Sequence, residues 1–173
     1  MFLKKIISGG QTGVDIAALD AAIDCGIEHG GWIPRGRKTE DGPLHPRYTL
    51  KQTSSRGYKV RTEMNVVSAD ATIIFGYGSI HRMLNSPSGT RQTYDLADQH
   101  SKSCLYIDLM DFIFYNPSGI AGWLEDGTVS ILNVAGPRAS REPNIYYDTH
   151  KFLTEVFKTL LNECRESLAP NRS

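Results

Sequence analysis

The chain has 173 residues, enough for one domain with a sizeable core. Its nineteen Lys and Arg balance nineteen Asp and Glu, and a formal net charge of zero argues against a nucleic-acid partner. No apolar run approaches membrane-spanning length and the N-terminus lacks a signal-peptide pattern, so the expectation is a soluble, cytoplasmic protein with no membrane partner.

In chain order, the first element reads as a short apolar strand ending at Ile6 and Ile7, followed by a Ser8-Gly9-Gly10 turn and a helix. Thr12 is placed to cap that helix, with Asp15 three residues on to close a capping box. A strand–glycine turn–helix unit leaves unpaired N–H groups at the positive end of the helix dipole, which makes an anion site. The turn lacks the lysine of a Walker A loop and is not G-x-G-x-x-G, so neither nucleotide fingerprint applies. Along the helix, Val14, Ala17, Ala18, Ala21, Ala22 and Cys25 form one apolar stripe, and Ile16, Leu19 and Ile23 a second. Gly26 ends it.

A brief strand over Gly30–Ile33 stops at Pro34. From Arg35 to Arg61 eight basic residues stand against two acids, Glu40 and Asp41, in a stretch expected to lack regular structure at its start. A charge run is often only a solvated face, but this one follows a strand C-terminus, where ligands of open α/β sheets bind. Thr62–Ser68 reads as a helix and Ala71–Phe75 as a strand apolar on both faces. Gly76-Tyr77-Gly78 and a polar loop through Pro87-Ser88-Gly89-Thr90 lead to a helix from about Arg91 to His100. Ser103–Asp108 and Val129–Val134 are the fourth and fifth strands, with a helical turn at Ile120–Asp126 between them. The last helix has the cleanest period: Leu153, Val156, Phe157, Leu160, Leu161 and Cys164. The three cysteines, Cys25, Cys104 and Cys164, lack a C-x-x-C spacing and read as buried thiols of a reduced interior.

Strands alternating with helices predict a Rossmann-like three-layer α/β sandwich. Its parallel sheet has about five or more strands in the order 2-1-3-4-5. A single ligand-binding domain is expected over residues 1–168, with 169–173 as a tail. That order makes strands 1 and 3 neighbours and predicts a crevice between Gly9–Gly13 and the loop from Gly76 to Thr90.

Three strand ends offer groups to this crevice. Gly9, Gly10, Gln11, Thr12 and Gly13 supply N–H groups and a hydroxyl, and Ser88, Gly89 and Thr90 supply the same at a second helix start. Asn133, Gly136 and Arg138 leave the fifth strand, and Arg35 or Arg138 can add a bidentate fork for an oxyanion. One such turn is more often plain capping; three converging favour a site for a small anionic ligand. Asp15 reads better as a capping acid than as a ligand contact. No catalytic residue and no metal ligand set stands out: His29, His45, His81, His100 and His150 lack paired spacing, and Ser8 is not in a G-x-S-x-G elbow. Trp32 and Tyr77 are open to stacking on a heterocycle or to core and rim packing.

GGQTGVD (9–15), HGGWIPRGRKTEDG (29–42), YKVRTEMNV (58–66) and NVAGPR (133–138), in order, resemble the molybdenum carrier (molybdenum cofactor carrier) family over about Ile6 to Phe157. That family is similar in turn to the Rossmann-like superfamily of the lysine-decarboxylase-like, LONELY GUY-type phosphoribohydrolases and of DNA-processing and nucleotide-sensing proteins. The resemblance implies a Rossmann-like sheet, a homo-oligomer (dimer or tetramer), and binding of molybdenum cofactor (molybdopterin) or molybdate. The alternative it leaves is a nucleotide- or nucleoside-phosphate-processing enzyme of phosphoribohydrolase type, or a nucleotide-sensing module. Two departures stand out. Ser88 replaces the first glycine of the relatives' pair before Thr90, and Arg91-Gln92-Thr93 follows where the phosphoribohydrolases carry their catalytic acid. A hydrolase would have to use Asp15 or Asp95 instead.

Overall fold

The computed structural model describes residues 3–111 and 116–168, with side chains up to residue 162. Cys164 and the expected tail at 169–173 lie outside the described side chains and residues. Strand β1 (Lys5–Ile7) leads into helix α1 (Val14–Asp24) and β2 (Glu28–Gly30). An excursion follows, carrying β3 (Trp32–Ile33), the hairpin strands β4 (Lys38–Thr39) and β5 (Gly42–Pro43), and β6 (Lys51–Gln52). Helix α2 (Tyr58–Ser68), β7 (Ala71–Gly76), α3 (Ile80–Leu84), α4 (Gly89–Gln99) and β8 (Ser103–Asp108) come next. Then α5 (Pro117–Asp126), β9 (Ile131–Ala135) and α6 (Ile145–Leu168) close the chain.

Local chemistry sets several of these boundaries. Ser88 caps α4 by accepting the Arg91 N–H at 3.1 Å, and Asn116 caps α5 by accepting the Gly119 N–H at 2.7 Å, with Pro117 at the first helical position. The expected cap of α1 is corrected: the N-cap is Gly13, without a side-chain cap bond, and Thr12 instead faces the loop after β9. The strand expected at Gly30–Ile33 is two strands. Glu28–Gly30 joins the main sheet, while Trp32–Ile33 leaves it at Gly31 and pairs with β6. Asn65 of α2 holds this departure by exchanging hydrogen bonds with the Trp32 N–H (2.8 Å) and carbonyl (3.0 Å).

The main sheet has five parallel strands in the order β2-β1-β9-β7-β8, a Rossmann-like α/β arrangement. Helices α1, α5 and α6 cover one face, over a core that includes Ile6, Phe75, Leu132 and Val134. Helices α2 and α4 cover the other, around Val66, Leu96 and Ala97. Numbered along the chain, the five strands run 2-1-5-3-4, so the expected order 2-1-3-4-5 is corrected. The last strand inserts between the first and third. Leu132 and Val134 are fully buried and the Asn133 amide donates to Thr72 Oγ1 at 3.2 Å, so β9 suits the centre of the sheet as well as any other apolar strand.

The departure is systematic. If β7 is counted as the first strand, then β8, β9, β1 and β2 become the second to fifth, and the same sheet reads 2-1-3-4-5. The doubly wound order is present with the chain ends moved to a different connection. Its switch point, where outgoing loops diverge, therefore lies between β7 and β9.

Helix α1 uses both apolar stripes. Val14, Ala18, Ala21 and Ala22 enter the main core, and Leu19 with Ile16 meets Ile33, Leu44, Tyr48 and Leu50. This second cluster fastens the long excursion to the domain. Each buried leucine there contributes about 1.5–3 kcal/mol before the cost of ordering the chain.

Candidate functional site

A crevice of about 270 Å³ opens at the C-terminal end of β9, between the β1–α1 turn and the first turns of α2 and α4. The β1–α1 turn contributes Gln11 and Asp15, the first turns of α2 contribute Tyr58, Arg61 and Thr62, and the start of α4 contributes Ser88, Gly89 and Thr90. The turn after β9 closes the ring with Gly136, Arg138 and Arg141. A smaller cleft of about 130 Å³, reaching Tyr77, Met83 and Tyr106, adjoins it and shares Ser88, Thr90, Pro137 and Arg141.

The donors here have distinct origins. Because the Ser88 hydroxyl takes the Arg91 N–H, the first two amides of α4, at Gly89 and Thr90, remain without helical partners at the positive end of the dipole. A Cβ added at Gly89 would meet nothing within 4 Å, so this turn stands open to the crevice. Gln11 uses its side-chain oxygen to accept the Thr12 N–H (3.0 Å) and the Glu40 N–H (2.9 Å), which leaves its NH2 as a donor on the crevice wall.

The charges are largely compensated within the walls. Asp15, 5% exposed, accepts from Arg61 at 3.0 Å and from the Gln11 N–H at 3.1 Å. Burial pushes its carboxyl above the usual aspartate value, opposed by the Arg61 charge and by the backbone N–H groups of Gln11 and Gly9. Arg138 lies 3.6 Å from the Glu40 carboxylate. Arg141 has no ion-pair partner among the described residues. The guanidinium groups of Arg61 and Arg138 lie 5.7 and 5.8 Å from the centre of the Tyr58 ring, so one aromatic ring helps hold two cations at the crevice. Arg61 also carries a buried Nε–H without a hydrogen-bond partner.

Two glycines show why the opening motif is glycine-rich. A Cβ at Gly9 would fall 1.4 Å from Arg61 Nη1, so the missing side chain is the space in which the guanidinium lies. Gly13 has φ +76°, and a Cβ there would meet the Pro137 carbonyl at 2.5 Å and the Ala139 nitrogen at 2.8 Å. These glycines seat an arginine and a neighbouring loop.

Of the residues expected from sequence to hold ligand, Gln11, Ser88, Gly89, Thr90, Gly136 and Arg138 line one crevice. Gly10, Thr12 and Gly13 line a different, more apolar cavity of about 350 Å³ on the far side of the turn. Gly9 is covered by Arg61, and Asn133 is buried in mid-strand against Thr72. Arg35 is exposed, with its backbone N–H on the Ser55 carbonyl, and is not among the crevice-lining residues.

A model of the "Circularly permutated YpsA SLOG family" matches residues 6–157. The chain belongs to this family. The relabelled strand order above is the structural form of that permutation. Among solved structures, one from Syntrophus aciditrophicus SB, named "Putative molybdenum carrier protein", is similar at 40% identity and a TM-score of 0.78, covering 90% of this chain and 94% of that one. No curated protein matches the chain significantly.

The crevice residues that the sequence did not reveal have local explanations. Tyr58, Arg61 and Thr62 are spaced i, i+3, i+4 and share a helix face, but the helix was expected to start only at Thr62. Much of the basic excursion is used internally. The Arg37 guanidinium donates to the carbonyls of Leu44, His45 and Tyr48, and Arg47 joins Tyr48 and Tyr146 on the Asp20 carboxylate. Burial, with the Asp20 carboxylate beside it, pushes the Tyr48 hydroxyl up to about 12. Tyr77 donates to Asp148, and Trp32 to Ser68 at 3.2 Å. Burial also pushes the Cys104 thiol up to about 12. Among the described residues no cluster of three or more His, Cys, Asp or Glu is placed to hold a metal ion, and no helix is long and apolar enough to cross a membrane.

Proposed function

We propose that the protein is a binding and carrier protein that holds molybdenum cofactor, or a related ligand bearing a phosphate or oxyanion, in the crevice between the end of β9 and the start of α4. The observation that carries the reading is the convergence there of the open α4 N-terminus with Arg138 and Arg141 at the switch point of a doubly wound sheet. Such a site takes a phosphate group at the helix start and leaves the adjoining cleft, with Tyr77 and Tyr106, for a planar ring. The name printed for the similar Syntrophus protein points to molybdenum. The residues present suit a metal delivered within an organic phosphate, since the crevice offers hydrogen-bond donors and guanidinium groups rather than thiolate or imidazole ligands.

Hydrolysis of a nucleotide is less well supported. Asp15 is engaged by Arg61 and backbone N–H groups, and Asp95 pairs with Arg91 at 2.6 Å on a neighbouring surface. The test is native mass spectrometry of the protein purified from molybdate-fed cells, combined with elemental analysis and pterin fluorescence. Molybdenum and pterin in equal amounts in the wild type, and neither in folded Arg138→Ala, is the expected result. A wild type carrying neither, and showing no calorimetric heat with molybdate, phosphate or adenosine monophosphate, contradicts it.

A further inference from the structure

We propose that Thr12, Arg138 and Ser140 form a second oxyanion seat at the rim of the crevice, filled in the free protein by its own Glu40 carboxylate. Three different donor types meet that carboxylate. Thr12 donates its hydroxyl, Ser140 donates both its N–H (3.2 Å) and its hydroxyl (2.5 Å), and Arg138 stands at 3.6 Å. A phosphate or carboxylate of a ligand would find the same hydrogen-bond donors and charge.

The seat does not depend on the hairpin that fills it. Thr12 is fixed by accepting the Ala139 N–H at 3.1 Å, and the Val14 N–H bonds the Pro137 carbonyl at 3.3 Å. The turn bearing Ser140 is closed by the Arg141 and Glu142 N–H groups on the Arg138 carbonyl. These bonds join the β1–α1 turn to the loop after β9 without any hairpin residue.

The hairpin is firm at its root and lightly held at its tip. Arg37 and buried Leu44 lock the root, whereas β4 and β5 are only two residues each. Thr39 and Asp41 border the cavity of about 350 Å³ instead of packing on the core. Glu40, through its carboxylate and its N–H on Gln11, ties the tip, beside the Lys38 ammonium at 5.1 Å from the centre of the Tyr58 ring. A carboxylate on such a hinged tip, resting on preformed donors, is an exchangeable occupant. The Glu40 N–H bond to Gln11 carries the exchange to the crevice wall.

This inference rests on the binding reading above for its biological ligand, but it is tested with inorganic phosphate. Wild type, Glu40→Ala and Glu40→Gln are titrated with phosphate while backbone amide shifts are followed. Both variants are expected to bind phosphate at least tenfold more tightly than wild type, with the Ser140 amide among the shifted signals. Glu40→Gln retains hydrogen-bonding capacity and keeps the test intact if Glu40→Ala unfolds. Phosphate binding no tighter in the folded variants, or without a Ser140 shift, overturns the seat. A wild type that binds at Gly89 and Thr90 alongside such variants overturns the seat alone. Variants that bind at Ser140 while wild type binds nowhere support the seat and count against the crevice.

Discussion

Arg61→Met keeps much of the arginine stem and removes its charge, so it isolates the ion pair that stiffens the crevice wall. Arg61 is 12% exposed and Asp15 5%, so the variant leaves a carboxylate buried with only backbone donors. Breaking a buried pair in this way costs about 3–5 kcal/mol. The lower end applies, because the Gln11 N–H still reaches Asp15 and because the carboxyl can take up a proton. A loss of about 3 kcal/mol corresponds to roughly 6–12 °C in Tm for a domain of this size. The pH dependence has a definite sign. Burial already raises the folded Asp15 value, and removal of Arg61 raises it further above the unfolded value of about 3.9. A folded state that binds more protons than the unfolded one loses stability as pH rises through that window, so the deficit at pH 7 shrinks at pH 5. Urea denaturation followed by circular dichroism at both pH values measures this, with Asp15→Asn and the double variant completing a thermodynamic cycle. A variant within about 0.5 kcal/mol of wild type at pH 7, or a deficit that grows on acidification, refutes the assignment.

The remaining predictions use the same contacts. Gly9→Ala drives a methyl into the Arg61 guanidinium and is expected to lower stability by more than about 2 kcal/mol in denaturant melts, whereas Gly89→Ala meets open space and stays within about 1 kcal/mol. The reverse ranking would mean that the glycines of the first turn serve the ligand and not the arginine. Desolvation opposes the Glu40 carboxylate, but bonds from Ser140 and Thr12 and the Arg138 charge hold it below its usual value. Its stabilising contribution, wild type minus Glu40→Gln, is therefore present above about pH 4.3 and disappears as pH falls through the lower folded value, which thermal melts between pH 7 and pH 3 would follow.

The layer architecture was legible because each strand and helix carries its own periodicity: the apolar run at 71–75 and the stripe from Leu153 to Leu160 are local signals. Strand order is not local. Nothing in 131–135 distinguishes a central from an edge position, and the permutation emerges only when β9 is seen to pair with both β1 and β7. The start of α4 was readable because its cap, Ser88, is written in the adjacent residues, whereas the Thr12 cap expected by the same logic at α1 does not form. Which turn residues share a crevice was not readable, since Thr12 and Gln11 are neighbours in sequence yet face different cavities. Arg61 and Tyr58 were hidden by a helix start set four residues too late. Arg35 was favoured by its charge and its place after a strand end, while Arg37, Arg47 and Arg61 of the same charge run find partners within the fold.

The crevice itself is tested most directly by amide-resolved titration of the labelled wild type with phosphate, molybdate and adenosine monophosphate. A saturable shift with at least one probe at Gln11, Gly89, Thr90 and Arg141, weakened tenfold or more in Arg138→Ala, is the result predicted. Saturable shifts confined to another face, or none with any of the three, would contradict the account.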